Sequence, residues 1–247
     1  MFYFEKIENK KVLKSTLLEG LEHFFTTKES VIRSQEVGAL DLVNENKKII
    51  CNYFNITENN FISPIQTHSS NIDIVREKQS SYPNTDGLIL TNMEQAVYLN
   101  FADCTPLIFY DSKQNIAAVS HAGWRGTAGM IAVKTVEKMA HEFKTNLTDI
   151  KCAIGPAISL CCYNVGEDVY RQLLDTVKQS DALYEIKNNE IFVDLKNINK
   201  RQLIEYGLLD ENIDVCDYCT VCDNDLFFSY RKENATTGRH SAVVKLN

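Results

Sequence analysis

Apolar residues along this chain fall into short runs broken by polar turns, with longer stretches of helical spacing between them. The runs AVYLNF (96–101), PLIFY (106–110) and NIAAVS (115–120) predict three strands, the last two joined as a hairpin by the polar turn DSKQ. Further strands are expected at FISPIQT (61–67), with a proline marking a sheet edge, at NIDIVRE (71–77) and at LILT (88–91). CAIGPAI (152–158), which ends in a Gly-Pro turn, IFVDL (191–195), IDVC (213–216) and SAVVKL (241–246) complete the set. The stretch QSSYPNTDG (79–87) is turn chemistry. Helical spacing covers 38–56, with Leu40, Leu42, Val43, Ile49, Ile50, Tyr53 and Phe54 expected on one face. It recurs over 127–143, where Met130, Val133, Val136, Met139 or Ala140, and Phe143 form a stripe and Thr127 is the expected N-cap. Helices are also expected over 166–179, whose acidic first turn suits the dipole, and over 197–207, closed by Gly207. Residues 11–26, interrupted by Gly20, read either as paired strands or as a short helix. Strands and helices interleave, yet several strands are joined by hairpins. The expected fold is therefore mixed α/β rather than doubly wound and parallel. With no repeat or linker in sight, residues 1–247 are expected to form one domain.

Composition narrows the function classes. Hydrophobic residues make up 44% and charged residues 24%, as in an ordinary globular chain. A formal charge of −7 argues against a general nucleic-acid binder, which needs a basic face to displace counterions. It leaves room for a small basic pocket that takes one anion. The N-terminus lacks the basic start, apolar segment and cleavage site of a signal peptide, and no apolar run is long enough to span a membrane. Without an export signal the eight cysteines are expected as free thiols or ligands in a reducing cytoplasm, with no membrane partner.

The chemistry concentrates between Ala102 and Gly126. Cys104 lies in a short connection between two strands, and His121 and the upstream His68 each follow a strand-like segment. Two histidines and a cysteine form a ligand set for catalytic zinc, which leaves a fourth position for water or substrate. A Cys104 nucleophile with His121 as its base is a second reading of the same residues. Next comes HAGWRGTAG (121–129), whose glycines and helix-start N–H groups suit an anion, with Arg125 as a two-pronged phosphate contact. The alternative is a tight strand-to-helix turn. FFSYRKENATTGR (227–239) supplies Tyr230, Arg231 and Arg239, either to a site or to a solvated loop. Cys216, Cys219 and Cys222 form C-x2-C-x2-C without the fourth cysteine and proline of a ferredoxin. Buried free thiols are the expectation there, and the Cys161–Cys162 pair carries no stronger signal.

These motifs together resemble the YfiH/YlmD family, also called laccase-domain or multicopper polyphenol oxidase proteins and regarded as purine nucleoside phosphorylases. The resemblance rests on QTHSS (66–70), DGLIL (86–90), ADCTPLIFYD (102–111), SHAGWRGT (120–127) and AIGPAISLCCYNVGEDV (153–169). It continues through DLKNINKRQL (194–203), CT (219–220) and FFSYRKENATTGR (227–239), in family order. It implies a single zinc ion on His68, Cys104 and His121, the triple already reached from ligand chemistry. It also implies a β-sandwich-like core of mixed sheets with flanking helices, related to a toxin deamidase fold. The implied activity is phosphorolysis of adenosine, inosine, guanosine and methylthioadenosine, with adenosine deamination as a side activity. Gln66, Arg125, Tyr230, Arg231 and Arg239 are the expected substrate and phosphate contacts.

One departure stands out. Where the family has an N-terminal arginine followed by a glycine pair, this chain has FFTTKES (24–30), with Lys28 in the arginine's place. Lysine keeps the charge but loses the planar two-pronged contact. Five histidines cannot supply a four-copper centre, and the H-x-E…P-C-x-x-C deaminase signature is absent. Two alternatives accompany the phosphorylase reading: a Cys–His hydrolase acting on peptidoglycan precursors, and a zinc-stabilised binding protein without activity.

Overall fold

The computed structural model describes residues 1–247 apart from Lys78 and Ser80; Ser80, in the expected turn 79–87, therefore lies outside the described residues. The chain opens with β1 (Phe2–Ile7), β2 (Lys10–Ser15) and β3 (Glu22–Thr26), followed by α1 (Leu40–Phe54). Then come β4 (Phe61–Ile62), β5 (Ile72–Ile74), β6 (Gly87–Leu90), β7 (Ala96–Phe101), β8 (Thr105–Asp111) and β9 (Ile116–Ala122). The helices α2 (Trp124–Ala128) and α3 (Ile131–Phe143) lead to β10 (Lys151–Ile154), β11 (Asn164–Val165) and α4 (Glu167–Leu174). The chain closes with β12 (Tyr184–Lys187), β13 (Glu190–Val193), α5 (Leu195–Tyr206), β14 (Ile213–Val215) and β15 (His240–Lys245).

Two six-stranded sheets, ordered β1-β2-β3-β15-β7-β4 and β14-β10-β8-β9-β6-β5, face each other. The two-residue period of a strand explains how one sequence fills three layers of core. On β7, Val97, Leu99 and Phe101 point between the sheets, while Ala96 and Tyr98 point out toward α1. On β8, Ile108 and Tyr110 point inward, and Leu107 and Phe109 face the helical layer of α3 and α5. Each of these strands is buried on both faces, so each reads as a continuous apolar run rather than an alternating one. A small third sheet, β11-β13-β12, packs with α4 beside the main body. The mixed α/β sandwich expected from the sequence is what forms. Among the described residues, no helix is long and apolar enough to cross a membrane.

Several local expectations are corrected. The buried face of α1 is Val43, Asn46, Ile50, Cys51 and Phe54, whereas Leu40, Leu42 and Tyr53 are exposed. The stretch 127–143 is not one helix. It breaks at Met130, which takes a left-handed conformation (φ +60°) between α2 and α3. Thr127 is consequently no N-cap: it is buried inside α2, and its hydroxyl accepts a hydrogen bond from Asn199 Nδ2 at 3.0 Å. Residues 11–26 resolve as β2 and β3, and the expected strand 61–67 shrinks to β4, stopping before Pro64, which has no N–H for a ladder. Gly207 closes α5 as read, at φ +126°, whereas the helix starts at Leu195 rather than 197, with Asp194 accepting from Asn197 N as its N-cap. The β1 strand was invisible to periodicity because it is a partly exposed edge strand, FYFEKI, with mixed polarity.

The corrected face of α1 can be tested by unfolding in denaturant. Phe54→Ala should cost roughly 3–5 kcal/mol, whereas Leu40→Ala, on the solvent side, should stay within about 0.5 kcal/mol of wild type.

Candidate active site

The hairpin register builds the first half of the site. Thr105 pairs with Ala122 and Pro106 with His121, so Cys104, just before β8, sits opposite the end of β9. His121 is the next-to-last residue of β9 and is buried. His68 arrives from the loop after β4, held in a left-handed conformation (φ +60°). The ligand atoms of His68, Cys104 and His121 all lie within 4.8 Å of one another. The two imidazoles meet nearly edge to face, with ring centroids 4.8 Å apart.

Asp86 sets this arrangement. Its carboxylate, completely buried, accepts hydrogen bonds from the backbone N–H groups of Thr67 (3.1 Å), His68 (3.1 Å) and Ser69 (2.7 Å), and from Ser69 Oγ (2.7 Å). His121 Nδ1 donates to the same carboxylate at 2.8 Å. One anion thus fixes the backbone that carries His68 and the tautomer of His121, whose Nε2 is left to act as ligand or base. Burial alone would raise the Asp86 pKa, but the hydrogen bonds from His121 and Ser69 outweigh it and hold the carboxyl well below the usual carboxylate range. The sequence gives no direct mark of this residue, since Asp86 lies in a turn-rich stretch where aspartate is ordinary. The only available hint was that it heads DGLIL.

Cys104 and His121 form a charged pair. Burial pushes the Cys104 thiol up, yet the imidazolium of His121 and hydrogen bonds from His121 and His68 bring it down to about 6. Burial lowers His121, and the Cys104 thiolate and Asp86 carboxylate overcome this and raise it to about 9. Metal-free, the pair therefore holds a thiolate beside an imidazolium at neutral pH. A cation placed among the three donors would take over the role of the His121 proton. Two imidazoles and a thiolate, one imidazole backed by a carboxylate, fit zinc.

The glycines of HAGWRG have a steric role. A Cβ on Gly123 would lie 2.9 Å from Cys104 Sγ and 3.1 Å from His68 Cδ2. One on Gly126 would lie 3.0 Å from the His121 carbonyl and 3.2 Å from that of Ser69. The motif is a tight strand-to-helix turn that lets the chain close over the three donors. The helix it opens, α2, is only five residues long.

His68, Cys104 and His121 line a cleft of about 870 Å³. Gln66, Tyr230, Arg231 and Arg239 line it, together with Arg33 and Tyr163, neither of which the sequence pattern singled out. Gln66 spends its amide on the backbone of β7, donating to Asn100 O (2.9 Å) and accepting from Asn100 N (2.8 Å), which anchors the loop leading to His68. Arg231 donates to Asn164 and lies 5.6 Å from the Tyr163 ring. Arg239 N–H donates to Arg33 O at 2.8 Å, so the two arginines enter the cleft on paired strands of chain. Arg125 is not among the lining residues: it is exposed and lies over Trp124, 4.2 Å from the ring centre. Lys28 does not line the cleft either; its amine donates to Glu233 at 2.6 Å.

Residues 32–247 match the family model described as multi-copper polyphenol oxidoreductase laccase. Purine nucleoside phosphorylase YlmD of Bacillus subtilis is 31% identical over 216 residues, covering 82% of this chain and 76% of its own length. Adenosine deaminase RL5, from an unknown prokaryotic organism, is 28% identical over 94% of this chain and 97% of its own. The crystal structure of Bacillus licheniformis YfiH superposes with a TM-score of 0.89 at 28% identity, covering 99% of each chain. On the match of its family model and on these relatives, the chain belongs to the laccase-like YfiH/YlmD family.

Proposed function

We propose that this chain is a zinc-dependent purine nucleoside phosphorylase that works in the cleft above His68, Cys104 and His121. The observation that carries the reading is that three potential metal donors, His68, Cys104 and His121, line the same cleft as Arg33, Arg231 and Arg239. In a chain of net charge −7, three arginines among the residues that line one cavity make a local basic site suited to a phosphate dianion, although Arg231 and Arg239 also donate to Asn164 and to the Thr236 and Gly238 carbonyls. Tyr163 and Tyr230 offer aromatic faces against which a purine can stack. The names of relatives, purine nucleoside phosphorylase and adenosine deaminase, agree in the substrate class.

In the reaction, a phosphate oxygen forms a bond to the anomeric carbon of the ribose as the bond from that carbon to the purine nitrogen breaks. The bonding pair leaves with the base, which takes up the proton lost by hydrogen phosphate, and ribose 1-phosphate is the second product. The arginines hold the phosphate in line and offset its charge, and the tyrosines orient the base. Positive charge that develops on the ribose ring is stabilised by the adjacent phosphate. Zinc on His68, Cys104 and His121 would supply Lewis-acid polarisation of a bound group. The substrates are adenosine, inosine, guanosine and methylthioadenosine, with adenosine deamination as a side activity.

A second reading follows from the same contacts. Cys104 beside His121, with His121 Nδ1 bonded to Asp86, is also a thiol, base and orienting carboxylate. It describes a hydrolase that needs no metal.

Incubation of the zinc-loaded protein with inosine or adenosine and phosphate should release free base and ribose 1-phosphate, and Cys104→Ala should abolish both. Absence of these products from folded, zinc-loaded protein refutes the phosphorylase; activity that survives metal removal and stops on Cys104 alkylation favours the hydrolase. Asp86→Asn should weaken zinc binding by about 10–100-fold in competition with a chelator. Zinc binding also has a defined pH sign. From about pH 6 to about pH 9 the metal must displace the proton held by the Cys104–His121 pair. Affinity should therefore rise roughly tenfold per pH unit across that window and lose this dependence above it, as read by calorimetry in several buffers.

A further inference from the structure

The chain carries a second cluster of ligating atoms that the cleft does not use. The sulfurs of Cys161, Cys162, Cys219 and Cys222 all lie within 4.8 Å of one another. Cys161 Sγ is 3.7 Å from Cys222 Sγ, and Cys162 Sγ is 3.5 Å from it. None of the four lines the cleft. The expectation of buried free thiols fits Cys216, which lies in the core between the sheets and takes no part in the cluster, but not Cys222, which is exposed and meets Cys161 and Cys162. The other two ligands come from the vicinal pair Cys161–Cys162 near the start of the small third sheet, nearly sixty residues upstream.

We propose that these four cysteines form a structural zinc site, a tetrathiolate centre separate from the site in the cleft. Four sulfurs set tetrahedrally about 2.3 Å from zinc lie roughly 3.8 Å apart, close to the separations present here. The turn around Cys219 suits a thiolate, whereas burial pushes the Cys161 and Cys162 thiols up, so that a metal must displace their protons. The backbone N–H groups of Cys222, Ser159 and Val221 turn toward Cys219 Sγ, and the Ser159 contact measures 3.4 Å. This is how a turn of the form Cys-x2-Cys wraps its amides around a first sulfur to spread negative charge. Lys232 Nζ donates to Val221 O at 3.1 Å, which brings a cation beside a centre that would carry a charge of −2. Zinc replaces the four thiol protons, which leave to solvent, and no electron changes hands. Tetrahedral sulfur donors select zinc over the harder divalent ions.

The consequence reaches the cleft through two chain segments. Ala157 bridges Cys219, and Thr220 N donates to Ala157 O at 3.1 Å. These segments meet Asp103, which lines the cleft, precedes Cys104 and is itself held in a left-handed conformation (φ +82°). Its carboxylate accepts from Thr220 Oγ1 (2.7 Å) and from Arg231 N (2.7 Å), and its carbonyl accepts from Ile158 N (3.0 Å). A metal that ties 161–162 to 219–222 therefore fixes the wall that presents Tyr163 and Arg231 and steadies the residue next to Cys104. The cross-link would stabilise by closing a long loop in the unfolded chain and by binding only the folded one.

The test separates the two sites. The reduced double variant His68→Ala/His121→Ala, which lacks the cleft donors, should still bind one equivalent of zinc in native mass spectrometry. Cobalt(II) added to that variant should give sulfur-to-cobalt charge transfer with tetrahedral d–d bands, and all four cysteines should become protected from alkylation. Adding Cys219→Ser should remove the equivalent and the bands, while adding Cys216→Ser should leave both. If the double variant does not fold, the wild type carries the same test: two equivalents of zinc are expected, falling to one in Cys219→Ser. The proposal is overturned if the folded, reduced protein takes up no zinc beyond the cleft equivalent. It is equally overturned if Cys222 is found in a disulfide with Cys161 or Cys162 in protein purified without oxidant.

Discussion

A single buried carboxylate holds the working part of this molecule together. Asp86 gathers the N–H groups of three successive residues, Thr67 to Ser69, and the imidazole of His121 from another strand. A charge removed from water is tolerated only when nearly every lone pair is satisfied, and here it is. The same bonds hold His68 in its left-handed conformation and point His121 Nε2 toward Cys104. Without the carboxylate, the loop from β4 would have no reason to present His68, and the imidazole would have no preferred tautomer. The hairpin β8–β9 then needs only its ordinary register to deliver Cys104.

Much of this was legible in the residues. The hairpin, its polar turn and the three donors could be read because buried strands leave continuous apolar runs and because two histidines and a cysteine at strand ends are unusual. Other features could not be read. Leu40, Leu42 and Tyr53 fit a helical stripe, but the exact face of α1 is set by where it docks on the outer side of β7 and β3, a tertiary choice that spacing does not record. Met130 looks like a stripe residue, yet it is the break between two helices. Arg33 sits in a polar stretch with no strand character of its own and joins the cleft only by pairing with Arg239. The glycines of HAGWRG suggested an anion; what they accommodate is Cys104 Sγ and the His68 ring.

The copper in the family's description finds little support in the donors of this chain. Of its five histidines, only His68 and His121 meet at the cleft. His23 and His240 are buried elsewhere, and burial lowers them to about 4 and about 3, while His141 is exposed on α3. One cation on two imidazoles and a thiolate is what the cleft can hold; a cluster of coppers is not. The chain's acidic balance makes the arginines of the cleft more telling, because they mark the place where an anion is preferred.

The central claim, that Asp86 arranges His68, Cys104 and His121 into a metal site, is tested most directly by a zinc-edge anomalous difference map from crystals of the zinc-loaded protein. The account predicts a peak about 2.0–2.1 Å from one ring nitrogen of each histidine and about 2.3 Å from Cys104 Sγ, with Asp86 still bonded to His121 Nδ1. A map with no peak among these three residues would contradict it.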